Sequence, residues 1–460
     1  MFRNYIEPLV MLATLLRWFI LASLTGLIVG TGTSWFLHIL YFSTDQTAEI
    51  PLWFQMLLLP VGGFLNGLII YYGYRNSTRN LKDSTIAAVH EQSGIMPYKT
   101  LPLKPLAAII TLGSGGSAGK EGPCSHIGGT LASWFGHLLH LNPELQKRMV
   151  ACGVSAGFAS VFGTPVAGAI YGVEVLTIGR LRYDFLFPAV IAGITSFESS
   201  KRWGLTYTYY PFMNFPGFSE GLFIKFIVIG LICGLISWWF IELFEKIKMM
   251  FSFVQRRWQI WPPFMPLLGG MILAILLFFL PTDYLGLSLP IMDQALAGSE
   301  IPYFAFAWKA LFVAITLGSG FYGGIVTPQF VIGAAAGNVL AHLFHLNPAL
   351  GAAAGMVSVV ASASNTPIAA IFMGFELFGH ITGIYIVGAC IIAYIIIGHR
   401  SVYPDQLVAY PKSLWMRLKP GISLEKEKIH ISYSLLRKMK RLQIHGGYFV
   451  KKGERTLRNK

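Results

Sequence analysis

Apolar stretches recur along most of this chain and are separated by short polar segments. They cover roughly residues 9–42, 51–72, 106–141, 149–178, 185–194, 221–243, 263–280, 304–317, 325–343, 351–363, 368–378 and 381–397. Several are shorter than the about 20 residues that a straight helix needs to cross a bilayer. The pattern therefore predicts an all-α integral membrane protein with tilted, broken or re-entrant helices.

The sequence also repeats itself at a long and nearly constant offset. Three pairs of segments match: 110–115 with 315–320, 140–143 with 345–348, and 164–174 with 366–376. Repeats of this size in a membrane protein indicate two related halves, often inverted, with the substrate site where the halves meet. We expect the halves at roughly residues 10–200 and 220–405, inside a membrane domain of residues 1–410.

Composition supports a membrane protein. Hydrophobic residues make up 54% of the chain and charged residues 12%, with a mean hydropathy of +0.58, whereas soluble domains carry about 25% charged residues. The cysteines lie in apolar stretches without metal-ligand or disulfide spacing, and they are Cys124, Cys152, Cys233 and Cys390. We interpret them as small core residues and expect neither a metal site nor a cofactor.

The net charge of +14 is concentrated at the end of the chain. Residues 411–460 hold 14 Lys and Arg against 3 Glu. A basic flank of this kind is typical of the cytoplasmic side of a membrane protein and faces anionic lipid. We therefore predict a multi-pass protein of the cell membrane with a basic cytoplasmic tail, and prefer lipid to nucleic acid as the partner of that tail.

One glycine-rich stretch stands out as candidate chemistry. Residues 113–123 contain five glycines, and Lys120 and Glu121 are the only Lys, Arg, Asp or Glu between residues 106 and 143. An ionisable pair isolated in an apolar run usually marks a water or ion pathway. The structural alternative is a carboxylate that is satisfied by Lys120 or by the start of its own helix.

The repeat gives this stretch a partner. Residues 119–123 align with residues 324–328, and both copies read Gly-x-x-x-Pro before an apolar helix. Each copy should present a helix N-terminus, whose unpaired N–H groups and positive dipole end favour an anion. Only the first copy carries a carboxylate, so Glu121 could occupy the anion site when charged and leave it when protonated. We expect the backbone N–H of Lys120 to matter more than its side chain.

Patterns typical of enzymes do not fit. Residues 318–323 spell GxGxxG, but no βαβ pattern surrounds them and no acidic residue follows at the distance that a dinucleotide site needs. We found no nucleophile and base pair and no set of metal ligands. We therefore do not expect an enzyme, although an intramembrane enzyme or a scaffold that does not transport remains the alternative of another class.

Three motifs carry a specific resemblance to a known family. Residues 119–123 read GKEGP and precede His126-Ile127-Gly128-Gly129; a second motif covers residues 320–328, and a third covers residues 398–403. Together they resemble the CLC family of chloride channels and chloride/proton antiporters over about residues 10–410. The tail of about fifty residues is too short for regulatory CBS domains, so the resemblance is to the prokaryotic type.

The resemblance implies roles for individual residues. Glu121 would be the external gating glutamate, and the hydroxyl of Tyr403 would reach a central anion from the cytoplasmic side. The N–H groups implied at the central anion belong to Ile325 and Val326, and those implied at an outer anion, or at the Glu121 carboxylate, to Gly119, Lys120 and Gly122. Family members are homodimers with one pathway in each subunit, so the resemblance also implies a homodimer.

Three positions depart from the family pattern. Asn80 falls in the implied anion-binding loop, where a serine or proline is usual, and Val326 replaces a phenylalanine of the second motif. Val175 occupies the place of the inner proton glutamate, which leaves the adjacent Glu174 as the candidate for that role.

The resemblance implies transport of a small inorganic anion across a lipid bilayer, with chloride as the first candidate and protons moving in exchange. Val175 keeps a passive chloride channel as an alternative. Asn80 keeps a fluoride/proton antiporter as another, because the family has a fluoride-selective branch.

Overall fold

The computed structural model describes residues 3–74, 84–211, 218–379, 383–426 and 430–431. These ranges contain sixteen α-helices. Eight lie in the first half of the chain: α1 (Arg3–Ala48), α2 (Leu52–Leu68), α3 (Thr85–His90), α4 (Thr100–Gly113), α5 (Glu121–Leu138), α6 (Pro143–Phe162), α7 (Pro165–Glu174) and α8 (Tyr183–Arg202). Eight lie in the second: α9 (Glu220–Arg257), α10 (Phe264–Leu276), α11 (Leu289–Leu296), α12 (Ala305–Ser319), α13 (Val326–Leu343), α14 (Pro348–Ala363), α15 (Pro367–Phe378) and α16 (Gly383–Ile396).

Few of these helices are both long enough and apolar enough to cross a bilayer alone. By length and composition, three spans could do so within the described residues, and they are Ile6–Ala48, Leu52–Gly73 and Glu220–Arg257. The shorter apolar helices have 10–17 residues, and α4, α10, α12, α14, α15 and α16 are among them. The prediction of an all-α membrane fold with broken helices is confirmed.

The breaks occur at the glycine-rich segments and repeat between the halves. The turn after α4 contains Gly115 with φ +93°, and the turn after α12 begins at Gly320 with φ +109°. Both backbones lie in the left-handed region that favours glycine. Each turn is followed by an extended segment and then by a new helix, α5 or α13. The two glycine motifs of the sequence therefore end one helix and allow the next to start inside the protein.

The helices that follow the HLNP motifs also start in the same way. The side chain of Asn142 accepts a hydrogen bond from the N–H of Leu145 at 2.9 Å, at the start of α6. Asn347 accepts one from Leu350 at 3.1 Å, at the start of α14. An asparagine followed by proline is a favoured helix start, because the amide oxygen satisfies an N–H and proline needs none. The repeat in sequence is thus a repeat in local structure.

Close approach of helices depends on small residues. A Cβ atom at Gly128 on α5 would lie 2.0 Å from the carbonyl oxygen of Gly153 on α6. In the second half, a Cβ atom at Gly337 on α13 would lie 2.0 Å from the carbonyl oxygen of Gly351 on α14. Helices in membranes associate through such backbone contacts because burial of apolar surface gains little in lipid. The four cysteines are buried and free, which confirms them as core residues.

Short strands connect the end of the chain to the first half. Strand β1 (Thr177–Ile178) pairs in parallel with β2 (Leu407–Val408), which pairs antiparallel with β4 (Ile422–Ser423). A second pair joins β3 (Met416–Arg417) to β5 (His430–Ile431). Strand β1 follows α7, and β2 follows Tyr403 in sequence. The sheet therefore connects the segment after α7 to the segment after Tyr403.

Candidate functional site

Glu121 is the first residue of α5, and its side chain reaches the start of α13 in the other half. The N–H of Val326 donates to Oε1 of Glu121 at 2.5 Å, and the hydroxyl of Thr327 donates to Oε2 at 2.6 Å. The glutamate is 2% exposed. Its charge is therefore held by a helix N-terminus of the opposite half, where N–H groups and the helix dipole favour an anion.

The neighbouring lysine is bound elsewhere. The ammonium of Lys120 donates to the hydroxyl of Tyr41 at 2.6 Å and lies 5.1 Å from the centre of that ring. The alternative in which Lys120 satisfies Glu121 therefore does not describe this structure. That the backbone N–H of Lys120 holds an anion or the Glu121 carboxylate stays a prediction.

A two-residue backbone bridge brings the two helix starts together. Gly119 and Gly324 each donate their N–H to the carbonyl oxygen of the other at 2.8 Å. A Cβ atom at Gly119 would lie 2.3 Å from Oε2 of Glu121, and one at Gly324 would lie 2.1 Å from Oε1. The carboxylate thus lies against bare backbone on both sides. The N–H of Gly119 is engaged in the bridge here, and its predicted contact with an anion would require another conformation.

The carboxylate also separates two cavities. The first, of about 190 Å³, we call the Tyr403 cavity, and its lining includes Glu121, Lys104, Tyr171, Val175 and Tyr403. The second, of about 250 Å³, we call the Lys120 cavity, and its lining includes Lys120, Tyr41, Tyr210, Asp293 and Thr327. Because Glu121 lines one cavity and its partner Thr327 lines the other, their hydrogen bond lies between the two spaces.

The Tyr403 cavity contains a pair of phenols and a buried cation. The hydroxyl groups of Tyr403 and Tyr171 are 2.9 Å apart. Lys104 is 7% exposed, and its ammonium lies 5.1 Å from the ring centre of Tyr322. Hydroxyl donors and a positive charge that line one cavity favour a small anion.

Glu174 has a different environment from Glu121. Its carboxylate accepts hydrogen bonds from the N–H groups of Ile368 at 3.1 Å and Ala369 at 2.8 Å, at the start of α15. Among the described residues, Val175 but not Glu174 lines the Tyr403 cavity. A role for Glu174 in proton transfer stays a prediction, and the geometry shows a helix cap.

The same arrangement occurs in reverse. The carboxylate of Glu376, on α15, accepts hydrogen bonds from the N–H groups of Val166 at 2.9 Å and Ala167 at 2.8 Å, at the start of α7. Glu174 and Glu376 are equivalent in the repeat. Each half therefore caps a helix of the other half with a carboxylate, which is buried in Glu174 and partly buried in Glu376.

Of the remaining predicted site residues, two lie at the junction of the helix starts and one lies outside the described residues. Ile325 is buried immediately before α13, and a Cβ atom at Gly122 would lie 2.9 Å from the Cα atom of Gly324. Both therefore lie at the junction of the two helix starts. Asn80 and the implied loop around it lie outside the described residues, so their predicted contact with an anion stays a prediction.

Thr327 and Tyr171 were not predicted as site residues from the sequence. Thr327 lies inside the second motif, next to Val326, and a hydroxyl in the first turn of an anion-binding helix is a signal that the sequence offers. Tyr171 lies in an uninterrupted apolar run, GAIYGVEV. Only the folded chain shows that its hydroxyl faces that of Tyr403.

Comparison with known proteins gives consistent matches. The family model described as voltage gated chloride channel matches residues 62–398. The chloride/fluoride channel protein of Pseudomonas syringae pv. tomato is 35% identical over 415 residues, covering 88% of this chain and 90% of that protein. The voltage-gated ClC-type chloride channel ClcB of Yersinia pseudotuberculosis is 28% identical and covers 76% of this chain and 87% of its own length.

Solved structures show the same fold. A CLC-type fluoride/proton antiporter superimposes with a TM-score of 0.79 at 31% identity, over 86% of this chain and 98% of that one. A slow cyanobacterial Cl⁻/H⁺ antiporter superimposes with a TM-score of 0.72 over 83% of this chain and 94% of that one, and at 22% identity it shows the fold alone. With a family model that spans more than half of the chain and relatives that match along most of their length, this multi-pass membrane protein belongs to the CLC family of voltage-gated chloride channels.

Proposed function

We propose that this chain exchanges a small inorganic anion for protons across a membrane, with Glu121 as gate and proton carrier. The observation that carries the proposal is the position of the Glu121 carboxylate, which accepts hydrogen bonds from the N–H of Val326 and the hydroxyl of Thr327. These are the donors that a transported anion would use at the same place. A carboxylate and an anion cannot occupy them together.

Competition for these donors couples the two ions. When the carboxylate is charged, it fills the site and separates the Tyr403 cavity from the Lys120 cavity. Protonation removes the charge that the start of α13 binds, so the side chain can leave and an anion can enter. A proton must therefore arrive at Glu121 before an anion passes, and it is released when the carboxylate returns. In exchange, the carboxylate takes up its proton from the side to which the anion leaves and releases it on the other side, so the two ions move in opposite directions.

Fluoride is a second candidate substrate. The family resemblance made chloride the first candidate. The relative at 35% identity is described as a chloride/fluoride channel protein, and the structure at 31% identity is described as a fluoride/proton antiporter. We propose that fluoride is carried, and that chloride is the competing substrate.

The other residues have supporting roles in this proposal. The N–H groups of Ile325 and Val326 and the hydroxyl of Tyr403 bind the central anion, and Asn80 contributes to selectivity from its loop. Lys104 adds positive charge to the Tyr403 cavity. The protein works as a homodimer, as the family resemblance implies. It lies in the cell membrane with its C-terminus in the cytoplasm, as the basic charge of residues 411–460 favours.

The test is transport by the purified full chain in liposomes. Vesicles are loaded with fluoride or chloride, and proton movement is followed with a pH dye while the membrane potential is clamped near zero. Uphill proton movement driven by an anion gradient supports antiport, and comparing the two anions at equal gradients identifies the preferred substrate. Anion flux that never moves protons contradicts antiport and favours the passive channel.

A further inference from the structure

We propose that Tyr171 is a second hydroxyl ligand of the anion in the Tyr403 cavity, so that two phenols bind the anion in the cavity that Glu121 also lines. This inference rests on the proposed anion transport and names a specificity residue for it.

The geometry places both phenols where one anion can contact them. Their oxygen atoms are 2.9 Å apart, and both residues line the cavity that Glu121 also lines. A hydrogen bond from a hydroxyl to an acceptor spans about 2.5–3.0 Å. An ion placed at that distance from both oxygens completes a triangle with sides of similar length. One small anion can therefore bridge the pair without movement of either side chain.

Proton counting favours such a bridge. Each phenol has one O–H donor. In the pair, one hydroxyl donates to the other, so that one of the two protons serves the bond between them. An anion that accepts from both hydroxyls uses both protons, and a charged acceptor forms the stronger hydrogen bonds. An anion that has lost its water shell gains two directed donors in place of one.

Tyr171 is also held rigidly. Its ring stacks on that of Phe158 with centroids 3.9 Å apart and planes inclined by 19°. It lies on α7, whose first turn is fixed by the Glu376 carboxylate. Tyr403 lies on the loop after α16, where its N–H donates to the hydroxyl of Ser401 at 3.0 Å. A ligand fixed on a helix keeps its position if the loop moves.

The internal repeat shows whether packing at this position needs a hydroxyl group. The residue equivalent to Tyr171 in the second half is Met373, which is buried among apolar side chains. The fold therefore accepts a large apolar residue here and does not require a hydroxyl. The first half has a hydroxyl, and it faces the cavity with the other phenol.

The experiment measures anion binding by the full-length protein in detergent, using isothermal titration with fluoride and with chloride. Removing one donor to a charged acceptor should weaken binding by about tenfold or more. We expect Tyr171→Phe and Tyr403→Phe each to show this loss. Tyr385→Phe is the matched control, because Tyr385 is a buried tyrosine that accepts from the N–H of Ser219 outside both cavities.

The double variant distinguishes a ligand from a residue that only positions Tyr403. If Tyr171 binds the anion itself, Tyr171→Phe weakens binding further in a Tyr403→Phe background. No further loss there, or wild-type affinity in Tyr171→Phe alone, overturns the proposal. Tyr171→Met, the residue of the second half, checks that the loss does not come from misfolding, because it should remain folded and bind as weakly as Tyr171→Phe.

The result is separable from the antiport proposal. Binding is measured without a proton gradient, so a wild-type protein that proves to be a passive channel still tests Tyr171. A wild-type protein that binds neither anion overturns this inference together with anion transport.

Discussion

The hydroxyl of Thr327 donates to the carboxylate of Glu121 at the boundary between two cavities. The two residues come from different halves of the chain, and each is among the first residues of its helix. The boundary between the cavities is therefore formed by one side chain and its hydrogen-bond donors.

Replacing Glu121 tests the gate directly. We expect Glu121→Gln to abolish proton movement and to preserve anion flux, because a neutral amide carries no proton and is held less firmly by the start of α13. The measurement is anion efflux and dye-reported proton uptake in the same liposomes. Glu144→Gln, at an exposed carboxylate paired with Lys147, is the control and should leave both fluxes unchanged. Persistent proton pumping by Glu121→Gln would rule out the glutamate as carrier.

Thr327 should set how firmly the gate is held. Thr327→Val keeps the shape of the side chain and removes the donor to Oε2, which costs about 1.5–3 kcal/mol for a hydrogen bond to a charged group. We expect more anions to pass for each proton, because the carboxylate returns less often to the start of α13. Thr327→Ser keeps a hydroxyl and should keep the wild-type ratio. An unchanged ratio in the valine variant would show that Val326 alone holds the carboxylate.

A methyl group at Gly324 should hold the gate open. The added Cβ atom would lie 2.1 Å from Oε1 of Glu121, and the atom in its way is the end of a movable side chain. We expect Gly324→Ala to expel the carboxylate and to give anion flux with little proton flux, as in Glu121→Gln. Gly221→Ala is the control, because a Cβ atom there has no neighbour within 4 Å. Tight coupling in Gly324→Ala would mean that the carboxylate lies elsewhere during transport.

Glu174 and Glu376 provide a matched test of proton transfer against helix capping. Each accepts hydrogen bonds from two N–H groups at the start of a helix in the other half. We expect Glu174→Gln and Glu376→Gln to lower the free energy of unfolding by similar amounts, about 1–3 kcal/mol each. Thermal unfolding in detergent compares the stabilities of the two variants. Transport in liposomes compares their ratios of anions to protons. Loss of proton coupling in the Glu174 variant alone would establish the proton role.

Lys309 should be important for stability. Its side chain is 0% exposed, and its ammonium donates to the hydroxyls of Ser117 and Ser288 at 2.8 Å each and to the carbonyl oxygen of Gly286 at 2.9 Å. Lys309→Met should lower the free energy of unfolding by about 3 kcal/mol, because three oxygen atoms around this buried side chain lose their hydrogen-bond donor. Lys225→Met, at an exposed lysine, should have little effect. Equal unfolding temperatures for the two variants would contradict this assignment.

Much of the fold follows from features that the sequence displays. The repeat marked both pairs of helix starts, and the isolated Glu121 in an apolar run marked the side chain that connects the two halves. These features were accessible because charge in an apolar segment and duplicated motifs can be seen along the chain. The donors to that carboxylate were not implied, because the resemblance placed the N–H of Val326 at a central anion and those of Gly119, Lys120 and Gly122 at the carboxylate, whereas the structure shows Val326 and Thr327 as its donors.

Other features depend on contacts between distant segments and were not accessible. Glu174 is adjacent to the place of an inner proton glutamate, and only the folded chain shows that its oxygens bind Ile368 and Ala369. Tyr171 appears apolar by its neighbours in sequence. Lys309 lies in an apolar helix, and the oxygens around it come from segments near residues 117 and 284–288.

The exchange of carboxylate caps between the halves also bears on how the protein is made. During synthesis, the N–H groups at the start of α7 lack their carboxylate cap until Glu376 has been made, 210 residues after Val166. Until then, these N–H groups need water, lipid headgroups or an insertion factor as partners. Neither half of the chain can therefore complete the start of its capped helix without the other half.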